Sequence, residues 1–296
     1  MLTKNISYKK FKELKKLELD KSIVGKEGTL FFVDDKDKWD RNQKLVKRFY
    51  NTSGPTFSNK LYTINSLINQ KENIEIDELV MPEKLVVSNS EIIGYTMDYI
   101  DGTNLGLLLK NPKLDREQAI NYLKQIGIIL EKISKLNEYG IVNNFYLNDV
   151  HEGNFVVNKE GIVRVVDMDS CRIDDNNPFI AKYLCPFSQV DLYPEKYSQK
   201  AAKGSGGYIM PDKNSDLYCY NIMILNYLYQ DNITKLDIPE LYEYLNYLIS
   251  IGFPYELVDS FNKLFENTDN INPYELLDLI PSDKGRAIKK VYELRK

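Results

Sequence analysis

Soft metal ligands are scarce in this chain: 296 residues carry a single histidine, His151, and three cysteines, Cys171, Cys185 and Cys219. Histidine-rich metal catalysis is thereby excluded, and any metal would be a hard cation held by oxygen. The cysteines are odd in number and lack the paired spacings of zinc sites or disulfide frameworks, which fits a reducing compartment. An excess of one charge is missing too. With 39 Lys plus Arg against 43 Asp plus Glu, the formal charge is −4, so no global field would hold the chain on nucleic acid or an anionic membrane. Fifteen glycines and eleven prolines are too few for a collagenous or low-complexity chain. Long apolar runs are absent as well. The first twenty residues, MLTKNISYKKFKELKKLELD, are lysine-rich but never reach the apolar stretch of a signal peptide. The most apolar later run, Tyr220 to Tyr229, is half the length of ~20 residues that spans a bilayer and reads as a buried helix. These absences lead to the expectation of a cytoplasmic globular protein with no nucleic-acid partner and no membrane insertion.

A chain of this length buries a sizeable core as one large domain or two lobes, and the pattern changes part-way along it. Leu30 to Val33 and Lys44 to Tyr50 read as strands flanking the charged turn Asp34 to Asp40. Lys60 to Gln70 spaces Leu61, Ile64, Leu67 and Ile68 at helical intervals, and Val86 to Ile100 returns to strand character around Gly94. After Asp101-Gly102 the pattern is helical. Asp115 with Gln118 opens a helix carrying Ile120, Leu123, Ile126, Leu130, Ile133 and Leu136 on one stripe, stopped by Gly140. Phe155 to Val157 and Ile162 to Val166 flank the turn Asn158 to Gly161 as a hairpin. From Ser215 on, helices return, with capping-box starts expected at Asp237 with Glu240 and at Asn272 with Glu275, the latter with Pro273 at its first helical position. The reading is α+β: a β-rich front and a helical rear joined near Tyr99 to Gly102.

Chemistry concentrates in Asn148 to Asp169, NDVHEGNFVVNKEGIVRVVDMD. Asp149 stands five residues before Asn154; a hairpin follows, and Asp167 ends its returning strand. Phosphoryl transfer needs a carboxylate beside the attacking hydroxyl and oxygen ligands that hold magnesium against nucleotide phosphates. Asp149, Asn154 and Asp167 supply those groups, and the hairpin brings the last two to one end.

This segment resembles the catalytic loop and metal-binding motif of the protein kinase superfamily, with Asp167-Met168-Asp169 where that family carries D-F-G. Further motifs follow in the family's order. Gly25 to Leu30 is similar to the latter part of the glycine-rich loop, whose usual first glycine falls here at Ile23. Leu45-Val46-Lys47 is similar to the V-A-I-K strand, with Lys47 reaching the phosphates. Tyr95 to Gly102 is similar to the hinge. Ser215-Asp216-Leu217-Tyr218 is similar to the start of the central C-lobe helix, with Asp216 holding the catalytic-loop backbone. Two candidates close the activation segment, Tyr193-Pro194-Glu195 and Met210-Pro211-Asp212, and Gln199 to Tyr208 reads as a mobile loop between them.

The resemblance implies a bilobal protein-kinase-like fold: a small antiparallel N-lobe sheet with one helix over residues 1–99 and a mainly helical C-lobe over 100–296. It implies Asp149 as the catalytic carboxylate and Asn154 and Asp167 as magnesium ligands. ATP would lie on Gly25, Gly28 and Lys47, between Leu30, Leu45 and Val156, its adenine edge on the backbone of Asp98 and Ile100. Two departures stand out. Lys60 to Gln70 lacks the helix glutamate that usually pairs with the strand lysine, leaving Glu72, Glu75, Asn65 and Asn69 as substitutes. The residues before Asp149 are Leu147-Asn148 rather than His-Arg. His151 replaces the usual lysine and makes D-x-H-x-x-N, a pattern shared with small-molecule kinases of the aminoglycoside and choline type. The expected activity is ATP- and magnesium-dependent transfer to Ser or Thr of a protein. The alternatives are a small hydroxylated acceptor or a pseudokinase acting as a binding module.

Overall fold

The computed structural model describes residues 2–20, 27–33, 43–176, 212–264 and 269–281. Gly25, the turn Asp34 to Asp40, Cys185, Glu195 and the Gln199 to Tyr208 segment lie outside those residues. The front of the chain is a five-stranded sheet and the rear is mainly helical, the bilobal α+β arrangement expected. Strands β1 (Thr3–Asn5), β2 (Gly28–Val33), β3 (Lys44–Phe49), β4 (Lys84–Ser88) and β5 (Glu91–Asp98) form it in the order β1-β4-β5-β3-β2. Every pairing is antiparallel except β1 on β4. Where one strand was expected over Val86 to Ile100, the chain makes a hairpin. Asn89 and Ser90 both take positive φ (50° and 67°), the geometry of a two-residue turn whose twist matches its strands.

Strand alternation sends Leu45, Lys47 and Phe49 to one face of the sheet and Lys44, Val46 and Arg48 to the other. The first face packs with Tyr95, Met97 and Leu85 against Phe57 and Ile64 of helix α2 (Gly54–Gln70). The second face is covered from the N-terminal segment. There, helix α1 (Tyr8–Glu13) and its flank bury Ile6 and Phe11 against Val33, Val46, Val86 and Ile93. The Arg48 guanidinium lies over the Tyr8 and Phe11 rings, 4.7 and 5.6 Å from their centroids. Cover on both faces is why even Lys44 and Lys47 of β3 are buried.

Gly94 sits where β5 crosses β3. A Cβ there would overlap the carbonyl oxygen of Lys47. Gly94→Ala is therefore expected to shift the strand that carries Lys47 and to lower stability by about 1–3 kcal/mol, read as a drop in Tm. An unchanged Tm would mean that the strands separate without cost.

The rear opens with a three-stranded sheet, β6 (Gly102–Asn104), β7 (Phe155–Asn158) and β8 (Val163–Val165), in that order. The lobes are stitched by the segment before β4, where Val80 N–H donates to Val165 and Val165 N–H donates to Glu78, at 2.9 and 2.8 Å. Helix α3 (Leu105–Lys110) is followed by α4 (Arg116–Glu138), capped by Asp115 and ended before Gly140, whose φ is +64°. Its apolar stripe packs on α5 (Lys213–Tyr229), which contains the expected buried run, with Tyr218 and Tyr220 fully enclosed. Asp237 and Glu240 form the expected reciprocal cap of α6 (Ile238–Ser250), ahead of α7 (Tyr255–Asn262). The start expected at Asn272 differs: Tyr274–Leu279 is a 3-10 turn without a side-chain cap. Asn272 instead donates its amide to the Gly127 carbonyl at 2.8 Å, so the capping side chain is spent on α4. Among the described residues, no helix is long and apolar enough to cross a membrane.

Candidate active site

The Asp149 loop is held from beneath. Asp216, buried in the first turn of α5, accepts the backbone N–H of Leu147 at 2.7 Å and of Asn148 at 2.8 Å. Asn148 takes a left-handed φ of 64° and donates its side-chain amide to the Ser170 carbonyl at 2.9 Å. That bond ties the loop to the segment after the hairpin. Asn154 folds back, its amide donating to the Asp149 carbonyl and carboxylate at 2.9 and 3.0 Å. The Nδ1 atom of His151 accepts the Gly153 N–H at 3.0 Å, so the neutral ring carries its proton on Nε2. That nitrogen lies 3.4 Å from Asp149 Oδ2.

Burial pushes the Asp216 carboxyl up to about 7, against the two N–H donors that pull it down. Its unfolded value is about 4, so the folded state binds the proton more tightly. The stability this gives is complete below about pH 4 and is lost as pH rises to about 7, at about 1.4 kcal/mol per pH unit. The Tm of wild type minus that of Asp216→Asn, which does not titrate, is expected to fall between pH 4 and 7 and level off above. A flat difference would show that the N–H donors keep the carboxylate ionised throughout.

The β7–β8 hairpin places Asn154 and Asp167 at one end. Phe155 pairs with Val165, and Val166 N–H donates to the Asn154 carbonyl at 2.9 Å. Both side chains offer oxygen. No three His, Cys, Asp or Glu side chains come together as a metal cage among the described residues. Magnesium, held largely by phosphates and water, needs only one or two protein oxygens. The pair Asn154 and Asp167 fits that requirement.

Lys47 reaches this end from the sheet. Its ammonium bridges Asp167 and Asp169, lying 2.6 Å from Asp169 Oδ2. Asp169 is fully buried; its other oxygen takes Lys60 of α2 at 2.5 Å, and Tyr95 donates its hydroxyl to Oδ2 at 3.3 Å. Burial works to lower the Lys47 pKa, but the Asp167 and Asp169 carboxylates outweigh it and hold the ammonium above its ordinary value. Burial would raise Asp169, yet Lys47 and Lys60 hold it well below the usual carboxylate range. Asp167, with more of its side chain in solvent, is pushed the other way by enclosure and by the Asp169 charge. Of two adjacent carboxylates, the more enclosed one is held lower because it has two cations.

Leu30 lies opposite Lys47 on β2, and Leu45 occupies the same face two residues on. Leu30 and Ile100 pack against the cluster that contains Leu45. Val156 of β7 pairs with Asn104 of β6. Asp98 ends β5, and its side chain is taken by Lys44 at 2.5 Å. Gly28 opens β2 against Phe49. The structure thus gathers Asp149, His151 and Asn154 in one loop and joins Lys47 to Asp167, with Leu30 and Leu45 beside Lys47 on the sheet.

No known family profile matches the chain. A stretch of 161 residues is 26% identical to a serine/threonine-protein kinase of Candida albicans, covering 51% of this chain and 21% of that kinase. The chain therefore spans about a fifth of that relative. This weak homology over half of the chain agrees with the two-lobed sheet and helix architecture. The fold is protein-kinase-like.

In this kinase-like frame the carboxylate expected for Lys47 on α2, or at Glu72 or Glu75, is supplied by Asp169 instead, and α2 contributes a cation. In the sequence Asp169 stands in the metal motif without a partner, Lys60 opens the helical stretch and Tyr95 the hinge-like one, none of them with a role toward Lys47. The signal for Lys60 was present: with Phe57, Ile64 and Leu67 it falls on the helix's buried stripe, where a lysine requires a partner. Cys171 is a buried free thiol whose pKa burial raises, as expected of a small packing residue.

Proposed function

We propose that this chain is an ATP- and magnesium-dependent phosphotransferase that acts in the cytoplasm and transfers the γ-phosphate to a Ser or Thr hydroxyl of a protein. The observation that carries the reading is the convergence of Asp149, Asn154, Asp167 and Lys47 at one end of the β7–β8 hairpin. Asp149 orients the acceptor hydroxyl and takes its proton. Asn154 and Asp167 hold magnesium, which when bound neutralises phosphate charge. Lys47 fixes the phosphates, with the Gly25 to Gly28 backbone over them, while Leu30, Leu45 and Val156 enclose the adenine and Asp98 and Ile100 meet its edge. Homology to a serine/threonine-protein kinase supports the protein acceptor.

A small hydroxylated acceptor is the second reading, favoured by His151 facing Asp149 at 3.4 Å. The pseudokinase reading, motivated by the missing helix glutamate, is weakened by Asp169 taking up Lys47. Transfer from γ-labelled ATP to generic protein substrates, hydroxylated metabolites and aminoglycosides, with and without magnesium, separates the three. Label on protein Ser or Thr supports the first reading, label on small molecules alone the second, and no label in any arm overturns both.

A further inference from the structure

We propose that Lys60 and Asp169 form a positioning pair for Lys47, in which the segment after the hairpin supplies the carboxylate and helix α2 supplies a second cation. The inference rests on the phosphotransferase reading, since it says how the phosphate-binding lysine is held. Five groups form a line of alternating charge: Asp167, Lys47, Asp169, Lys60 and Glu27. The Lys60 ammonium lies 2.5 Å from Asp169 Oδ1, 2.9 Å from Glu27 Oε2 and 3.2 Å from Ser170 Oγ. Asp169 Oδ2 takes Lys47 and Tyr95, so one buried carboxylate gives an oxygen to each lysine.

That division has two consequences. A buried carboxylate facing Lys47 alone would draw the ammonium fully into its own pair, because attraction is strong where water is excluded. Lys60 satisfies half of that carboxylate, so Lys47 is located by Asp169 yet keeps donors for phosphate. The second consequence is mechanical. Lys60 belongs to the buried stripe of α2, and Glu27 immediately precedes Gly28 at the start of β2, so a single ammonium links helix, sheet and hairpin end. Thr63 reinforces the link by donating to the Cys171 carbonyl at 3.2 Å. A shift of α2 therefore reaches Lys47 through Asp169.

The test is a double-mutant cycle on the full chain with Lys60→Met, Asp169→Asn and the double variant, reading the Kd for MgATP by calorimetry and Tm without nucleotide. Each single change is expected to weaken MgATP binding about tenfold, and the double change about tenfold rather than the roughly hundredfold of independent sites. The Tm losses should likewise combine to less than their sum. Losses in Tm that simply add would overturn the pair itself. Coupled Tm losses with Kd unmoved in variants still folded at the assay temperature would reduce the pair to a structural one and overturn its positioning role. A wild type with no affinity for MgATP would overturn the phosphotransferase reading and the positioning role with it, and the nucleotide-free Tm cycle would still decide whether the pair exists.

Discussion

Asp149→Asn is expected to slow phosphoryl transfer by about 10²–10⁴-fold, the usual contribution of a positioned general base, while leaving Tm and the affinity for MgATP close to wild type. The substitution keeps the volume of the side chain and removes its charge and proton-accepting power. The loop backbone is held by the Asp216 carboxylate through Leu147 and Asn148 and by the Asn148 amide on Ser170, and none of these bonds involves the Asp149 side chain. The carboxylate meets the Asn154 amide at 3.0 Å and His151 Nε2 at 3.4 Å, and an asparagine oxygen can accept from either. The loss should therefore fall on kcat with KM for ATP unchanged, the pattern of an interaction made in the transition state. Undiminished kcat in steady-state assays would remove Asp149 from the mechanism.

How far the sequence reveals this fold depends on whether the deciding interactions are local. The β7–β8 hairpin and the stripe of α4 were legible because each is set by residues within a turn or two of one another. The Asn89-Ser90 hairpin was not, since serine gives no warning that it will adopt positive φ, unlike glycine. The N-terminal segment was unreadable for another reason. Ile6 and Phe11 are isolated among lysines, and only the far face of the sheet makes them core. At the site, Asp149, Asn154 and Asp167 are recognisable because their spacing reflects a loop and a hairpin. Lys60 and Asp169 lie 109 residues apart in sequence; the stripe of α2 marks Lys60 as needing a partner, and only the tertiary fold makes that partner Asp169. Charge swaps of this kind escape motif reading, because a motif specifies a residue at a position and the physics requires only that a buried lysine meet a carboxylate from somewhere.

Asp167→Ala should abolish magnesium-dependent transfer while sparing the fold, and the charge line explains why both are expected. On the proposed reading, Asp167 is the one carboxylate the chain offers to magnesium beside Asn154. Losing it forfeits several kcal/mol of transition-state charge stabilisation, which is about a 10³-fold loss of rate or more. The fold is spared because Asp167 stands at the outer end of the line. Its side chain is 39% exposed, whereas that of Asp169 is fully enclosed. Without Asp167, Lys47 still has Asp169 Oδ2 at 2.6 Å, so no buried charge is left unpaired and Tm should move little. Raising the magnesium concentration is the sharper assay. If Asp167 is a ligand, the variant's residual activity should require much more magnesium than wild type. Retained transfer at wild-type magnesium would remove Asp167 from the metal site and leave it as a partner of Lys47. Retention together with a large drop in Tm would further show that the outer carboxylate, rather than Asp169, is the one that anchors the lysine.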